Sequence, residues 1–111
     1  VDNEKLKESD ADSLPTPTES YLVSQMPQVL SEIKPEYPKE AREKQIEGAV
    51  VMDILIDSNG LVRDAQIIEG ESLFQTVALE AIKKFTFKPA MVSGQSVAVR
   101  IRYTLRFKLD Y

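Results

Sequence analysis

Neither cysteine nor histidine occurs in this 111-residue chain, and tryptophan is absent too. Without cysteine there is no thiol nucleophile and no disulfide. Without histidine there is no imidazole base, and zinc or copper sites built on N/S ligands are excluded. The missing cysteines leave the redox compartment open. Glycine is scarce: Gly48, Gly60, Gly70 and Gly94 stand apart at the ends of elements, so no glycine-rich phosphate loop is present. No apolar run approaches the roughly 20 residues needed to span a bilayer. Positive charge is not in excess either; the formal net charge of -4 argues against a surface built to neutralise phosphates. The chain begins at Val1 rather than Met. It therefore reads as a fragment or processed product, with any membrane anchor or targeting signal expected upstream.

What remains is an ordinary globular balance, 42% hydrophobic and 29% charged, in a length suited to one domain. Residues 1–24 read as a flexible linker. They carry Asp2, Glu4, Glu8, Asp10 and Asp12, followed by Ser13-Leu14-Pro15-Thr16-Pro17-Thr18. Apolar side chains are too sparse there to offset the entropy of ordering, so the segment is expected to be a solvated tail or a tether. Residues 25–111 form the folded domain. Its first part is transitional: Met26, Val29, Leu30 and Ile33 are candidates to dock on the core, while Pro27 and Pro35 limit helix.

From Tyr37 the local signals sharpen. Pro38 suits a first helical position, and residues 38–45 are rich in helix formers, with Ala41, Gln45 and Ile46 on one face and Gly48 as the stop. Residues 49–56 are apolar and β-branched except for Asp53, which predicts a central strand with Asp53 on its wetter face. Asp57-Ser58-Asn59-Gly60 is a turn, and residues 61–69 return as a second strand. Gly70-Glu71-Ser72 breaks that strand, with Ser72 as a candidate N-cap. Phe74, Val77, Ala78, Ala81, Ile82 and Phe85 then follow the i, i+3, i+4 rule of an amphipathic helix, ending in Lys83-Lys84. Pro89 makes the exit extended, and Ser93-Gly94 marks another turn.

The last element alternates strictly. Val97, Val99, Ile101, Tyr103, Leu105, Phe107 and Leu109 occupy one phase; Ala98, Arg100, Arg102, Thr104, Arg106 and Lys108 occupy the other. Period two over this length predicts a strand with one buried face, longer than either hairpin arm and extending past them. A hairpin followed by a crossover helix sends this third strand antiparallel to the first. The expected fold is α+β and two-layered: a three-stranded antiparallel sheet, order 2-1-3, with two helices on one face. The third strand is then an open edge. Its arginines read either as charges that block aggregation or as selectors around an acceptor edge for β-augmentation. Asp53 is placed to pair with Arg100 or Arg102.

No catalytic constellation emerges, and no enzyme, cofactor or metal is expected. Glu69 and Glu71 flank a turn as solvated acids. The Asp57–Gly60 turn lacks the later bidentate Glu of a calcium loop. Tyr103 falls on the apolar phase, so the basic strand has no stacking platform for nucleic acid.

Taken in order, Tyr37-Pro38, Ala41, Glu47-Gly48-Ala49-Val50-Val51, Asp57 to Gly60-Leu61-Val62, Phe85-Thr86-Phe87-Lys88-Pro89-Ala90, Gly94 and the long final strand resemble the TonB C-terminal domain. The resemblance covers residues 35–107 and implies the architecture just derived. It also implies an energy transducer of the Gram-negative periplasm. An N-terminal inner-membrane helix absent from this chain would engage the ExbB–ExbD proton-driven motor. The terminal domain would capture the TonB box of an outer-membrane transporter as an added strand along residues 97–106. By that resemblance the backbone of Val97, Val99, Ile101 and Tyr103 would bond the box, with Arg100 and Arg102 modulating fit. Two departures stand out: the linker lacks the long Pro-Glu/Pro-Lys repeats common in the family, and Ile33-Lys34-Pro35-Glu36 lacks the Gln-Pro signature of well-known members. Two alternatives are a strand-exchanged homodimer and a TonB-like module of a secretion, motility or sensor system.

Overall fold

The computed structural model describes residues 14–109; the acidic run from Asp2 to Asp12 lies outside them. A short 3-10 turn, Ser20–Leu22, precedes seven strands and two helices: β1 (Gln28–Ser31), α1 (Lys39–Glu43), β2 (Gly48–Ile56), β3 (Val62–Gly70), α2 (Ser72–Ile82), β4 (Thr86–Lys88), β5 (Ala90–Val92), β6 (Gln95–Val97) and β7 (Val99–Phe107). The principal sheet is antiparallel with order β3-β2-β7. Two small antiparallel pairs, β1 with β4 and β5 with β6, flank it.

One face of β2 supplies Val50, Met52, Ile54 and Ile56 to the core, all fully buried. Against it lie Phe74, Ala78, Ala81 and Ile82 of α2 and Ala41 of α1. Burying Phe74 or Ile82 in this way contributes roughly 1.5–3 kcal/mol each. The apolar stripe of α2 falls where its spacing predicts, although the helix is initiated by Glu71 in extended conformation rather than capped by the Ser72 side chain. Lys83 and Lys84 follow the helix rather than ending it.

Helix α1 is stopped by a residue that its sequence did not advertise. Gln45 takes a left-handed φ of 55°, with its amide bonding Arg42 O at 3.1 Å, while the Ile46 amide reaches back to Ala41 O at 2.8 Å. This is a Schellman closure with an apolar residue after it, and Ile46 packs against the core cluster that contains Ala41. Gly48, expected as the helix stop, instead begins β2. A Cβ there would meet the Phe74 ring at 3.1 Å.

Two further expectations are corrected. The final strand does not outrun its partner: β7 and β2 are both nine residues long and are paired rung for rung, from Gly48 opposite Phe107 to Ile56 opposite Val99. The alternation continues through Val97, but residues 95–97 turn away to pair with β5 across a Ser93-Gly94 turn. Both turn residues have positive φ (49° and 84°), the twist that closes a two-residue hairpin. The transitional segment and the end of the expected linker are also engaged. Ser24 and Gln25 amides bond Met91 O, and Val29 sits opposite Phe87 in the β1–β4 pair. Val29 alone of the four candidates packs on the core; Met26, Leu30 and Ile33 are exposed.

Candidate functional site

Both outer strands of the principal sheet are edges, but they differ in quality. The β2–β3 register shifts twice, between Val51 and Met52 and between Leu55 and Ile56, so β3 carries bulges that twist its edge. The start of that edge is also bridged to Thr86 through Leu61. The β2–β7 register runs without a break. Among the described residues, then, the regular open edge is that of β7.

The direction of its backbone follows from two hydrogen bonds. Asp57 N–H donates to Leu61 O at 2.9 Å, so at Asp57 the chain of β2 faces β3. Alternation then turns Ile56, Ile54, Met52 and Val50 toward β7, where they meet Val99, Ile101, Tyr103 and Leu105. The remaining β7 residues, Arg100, Arg102, Thr104 and Arg106, present their N–H and C=O groups outward. Ala98 continues that phase, and its carbonyl accepts the Thr18 N–H at 2.8 Å. The stretch 97–106 expected as a docking edge is thus divided. Val97 is committed to β5 and Ala98 to Thr18, while the amides of Val99, Ile101 and Tyr103 face β2 rather than outward. Side-chain phase was legible in the sequence; the backbone phase, set by which neighbour is bonded, was not.

On the helix side, Tyr103 packs edge-on to Phe85 and Phe87, with centroids 5.6 and 6.0 Å apart. Next to it, Glu32, Ile33, Lys34 and Pro35 line a groove of about 410 Å³ together with Phe85 and with Tyr103, Thr104, Leu105 and Arg106 of β7. Burial raises the Tyr103 phenol above its ordinary value, and the Glu32 carboxylate adds to that shift. On the open face, Arg100 reaches across the sheet. Its guanidinium bonds Asp53 of β2 at 3.1 Å and Asp64 of β3 at 3.0 Å, joining all three strands. Arg102 lies directly opposite Asp53, yet it is Arg100 that takes the carboxylate.

The remaining motif residues build what stands behind this edge. Tyr37 meets Phe74 and Phe107 edge-on, its hydroxyl donates to Ile46 O, and Arg42 covers its ring at 5.1 Å. Phe74 and Phe107 stack at 4.4 Å, anchoring the far end of β7. Pro38 precedes α1 in extended conformation. Glu47 accepts the Leu109 N–H at 2.7 Å. Gly60 brings the β2–β3 turn onto β4, where its carbonyl accepts the Phe87 N–H at 2.8 Å. Pro89 separates β4 from β5 and lines a small cleft with Met26 and Pro27. The Asp57 carboxylate closes the turn by accepting the Asn59 and Leu61 amides, both at 2.9 Å, with Arg63 alongside. No group of three potential metal ligands occurs among the described residues.

Comparison with known proteins agrees with this geometry. Over 95 residues the chain is 36% identical to Protein TonB of Vibrio cholerae serotype O1, spanning 84% of this chain and 39% of that protein. It is 31% identical over 78 residues to Protein TonB of Pseudomonas aeruginosa, spanning 68% of this chain and 23% of that one. The chain therefore corresponds to well under half the length of these relatives. Among solved structures, the solution NMR structure of the Pseudomonas aeruginosa TonB CTD superposes with a TM-score of 0.63 at 29% identity, covering 77% of this chain and 88% of that one. The TonB2 protein of Vibrio anguillarum superposes with a TM-score of 0.58 at 26% identity, covering 79% and 86%. The sequence profile of the Gram-negative bacterial TonB protein C-terminal region matches residues 33–109, and the chain belongs to that family.

Proposed function

We propose that this domain captures the TonB box of an outer-membrane transporter as an added strand on the outer edge of β7. In this role it is the periplasmic end of a transducer tethered to the inner membrane by an upstream helix. There ExbB and ExbD would supply energy derived from the proton-motive force. The observation that carries the reading is the contrast between edges: β3 is bulged, whereas β7 is regular and offers outward amides at Arg100, Arg102, Thr104 and Arg106. A joint of this kind suits force transmission because several backbone hydrogen bonds share the load. Family membership supports the class of partner. The groove along Glu32 to Pro35 and the arginines of the open face would contact alternate side chains of the captured strand.

An amide-shift titration with peptides from the N-termini of candidate outer-membrane transporters tests this. Shifts concentrated in residues 99–106, abolished by Thr104→Pro, are the expected result. The Thr104 amide faces outward, so proline there spares the β2 ladder while denying one bond to the incoming strand. Peptide binding that leaves 99–106 unperturbed would refute strand addition. Concentration-dependent shifts of the same amides without peptide would assign the edge to a second copy of the chain.

A further inference from the structure

The open face of the sheet carries a charge imbalance beside this edge. Arg100, Arg102 and Arg106 project from β7, and the facing side chains of β2 are Ala49, Val51, Asp53 and Leu55. The one carboxylate among them is bonded to Arg100, which also takes Asp64 from β3. Arg102 and Arg106 are exposed and make no ion pair among the described residues. Arg100 is therefore occupied in holding the sheet, and two arginines four positions apart stand free along the outer edge. Thr104, between them, is small and exposed.

Building on the strand-addition reading, we infer that the edge selects an extended peptide carrying carboxylates at positions i and i+4, so that both lie on the face shared with Arg102 and Arg106. Strand geometry fixes the spacing in either orientation of the guest, because residues i, i+2 and i+4 line one face. The two arginines are about 13 Å apart along the strand. That exceeds the roughly 8 Å Debye length at physiological salt, so the two pairings act almost independently. The preference is local in origin. The chain as a whole carries a net charge of -4, which repels an acidic peptide rather than attracting it.

The test uses capped nine-residue peptides of one apolar-alternating composition, titrated into the 111-residue chain and followed by amide shifts. One peptide carries Glu at i and i+4, a second carries Glu at i and i+3, and a third carries Gln at i and i+4. Cross-strand charge pairs of this exposure predict that the i, i+4 peptide binds about two- to threefold tighter at low salt than the i, i+3 peptide, which keeps one pairing. Against the Gln peptide, which keeps neither, the advantage is about three- to tenfold. That advantage is expected to vanish in the Arg102→Gln, Arg106→Gln double variant and to shrink at high salt. Equal affinity of the i, i+4 and i, i+3 peptides would overturn the inference, as would an advantage that survives in the double variant. In both cases shifts in 99–106 would still show that strand addition stands. No shift of 99–106 with any peptide would overturn strand addition and this selectivity together.

Discussion

Replacing Gly60 and Gly94 by alanine, one at a time, separates two demands that glycine meets in this fold. Both residues have φ of +84°. An L-residue in the left-handed region costs roughly 1–2 kcal/mol, partly offset by the roughly 0.4–1 kcal/mol gained from a stiffer unfolded chain. At Gly94 nothing lies within 4 Å of the added Cβ, so Gly94→Ala should lose about 1 kcal/mol and no more. At Gly60 the same methyl would sit 1.8 Å from Phe87 O. Relieving that overlap moves the turn off β4 by about 1.5 Å, to ordinary carbon–oxygen contact. Such a shift breaks the Phe87 N–H bond to Gly60 O and the Leu61–Thr86 bridge. At about 1 kcal/mol per lost backbone bond, Gly60→Ala should total about 3–4 kcal/mol. Urea melts of the two variants give the comparison directly. A gap of about 2 kcal/mol or more is expected, and failure of Gly60→Ala alone to fold would place it further in the same direction. Losses equal to within about 0.5 kcal/mol would refute the claim that close approach to β4, rather than φ, is what requires glycine at this motif position.

Gln45→Gly should stabilise the domain by about 1 kcal/mol in the same melts, because glycine closes a Schellman turn without left-handed strain; a loss would show that the Gln45 side chain holds something that its φ does not reveal. Arg100→Gln should cost no more than about 1 kcal/mol although it severs two ion pairs, since its side chain is 36% exposed. A larger loss in a urea melt would mean that the three-strand clamp is stronger than its exposure implies. The raised Tyr103 phenol, shifted by burial first and Glu32 second, is matched by an unfolded chain that gives up its proton earlier. Stability is then intact below pH about 10 and falls as pH rises through the folded-state value, and Tyr103→Phe should remove that part of the alkaline slope.

The hairpin, the α2 stripe and the last strand were legible because each rests on a local signal: Asp57-Ser58-Asn59-Gly60, the spacing from Phe74 to Phe85, and unbroken alternation from Val97. What escaped notice depends on partners distant in sequence. Val97, Ala98 and Val99 keep perfect alternation while their backbone changes neighbour from β5 to Thr18 to β2, and side-chain pattern carries no trace of that exchange. The β1–β4 pair is three to four residues long, and Gln28 to Ser31 offers one half-buried side chain, Val29, too little periodicity to distinguish strand from loop. Gln45 adopts a conformation that sequence assigns to glycine, which put the end of α1 at Gly48 instead. The Asp53 pairing was readable down to two arginines; Asp64 entered only once β3 was placed beside β2.

Every rung between β2 and β7 joins residues more than forty positions apart. Such pairing waits on loop closure and forms late, after the hairpin and α2 have local contacts to hold them. Until it forms, β7 has two open edges and β2 has one, all apolar on one side and able to pair with other chains. The regular edge of β7 is therefore a product of completed folding: a chain that stalls before the last strand docks has the residues of the proposed acceptor surface but not the rigid row of outward amides. Recognition by the proposed strand addition would carry its own proof of folding, with the arginines along the strand discouraging other pairings in the interval before it.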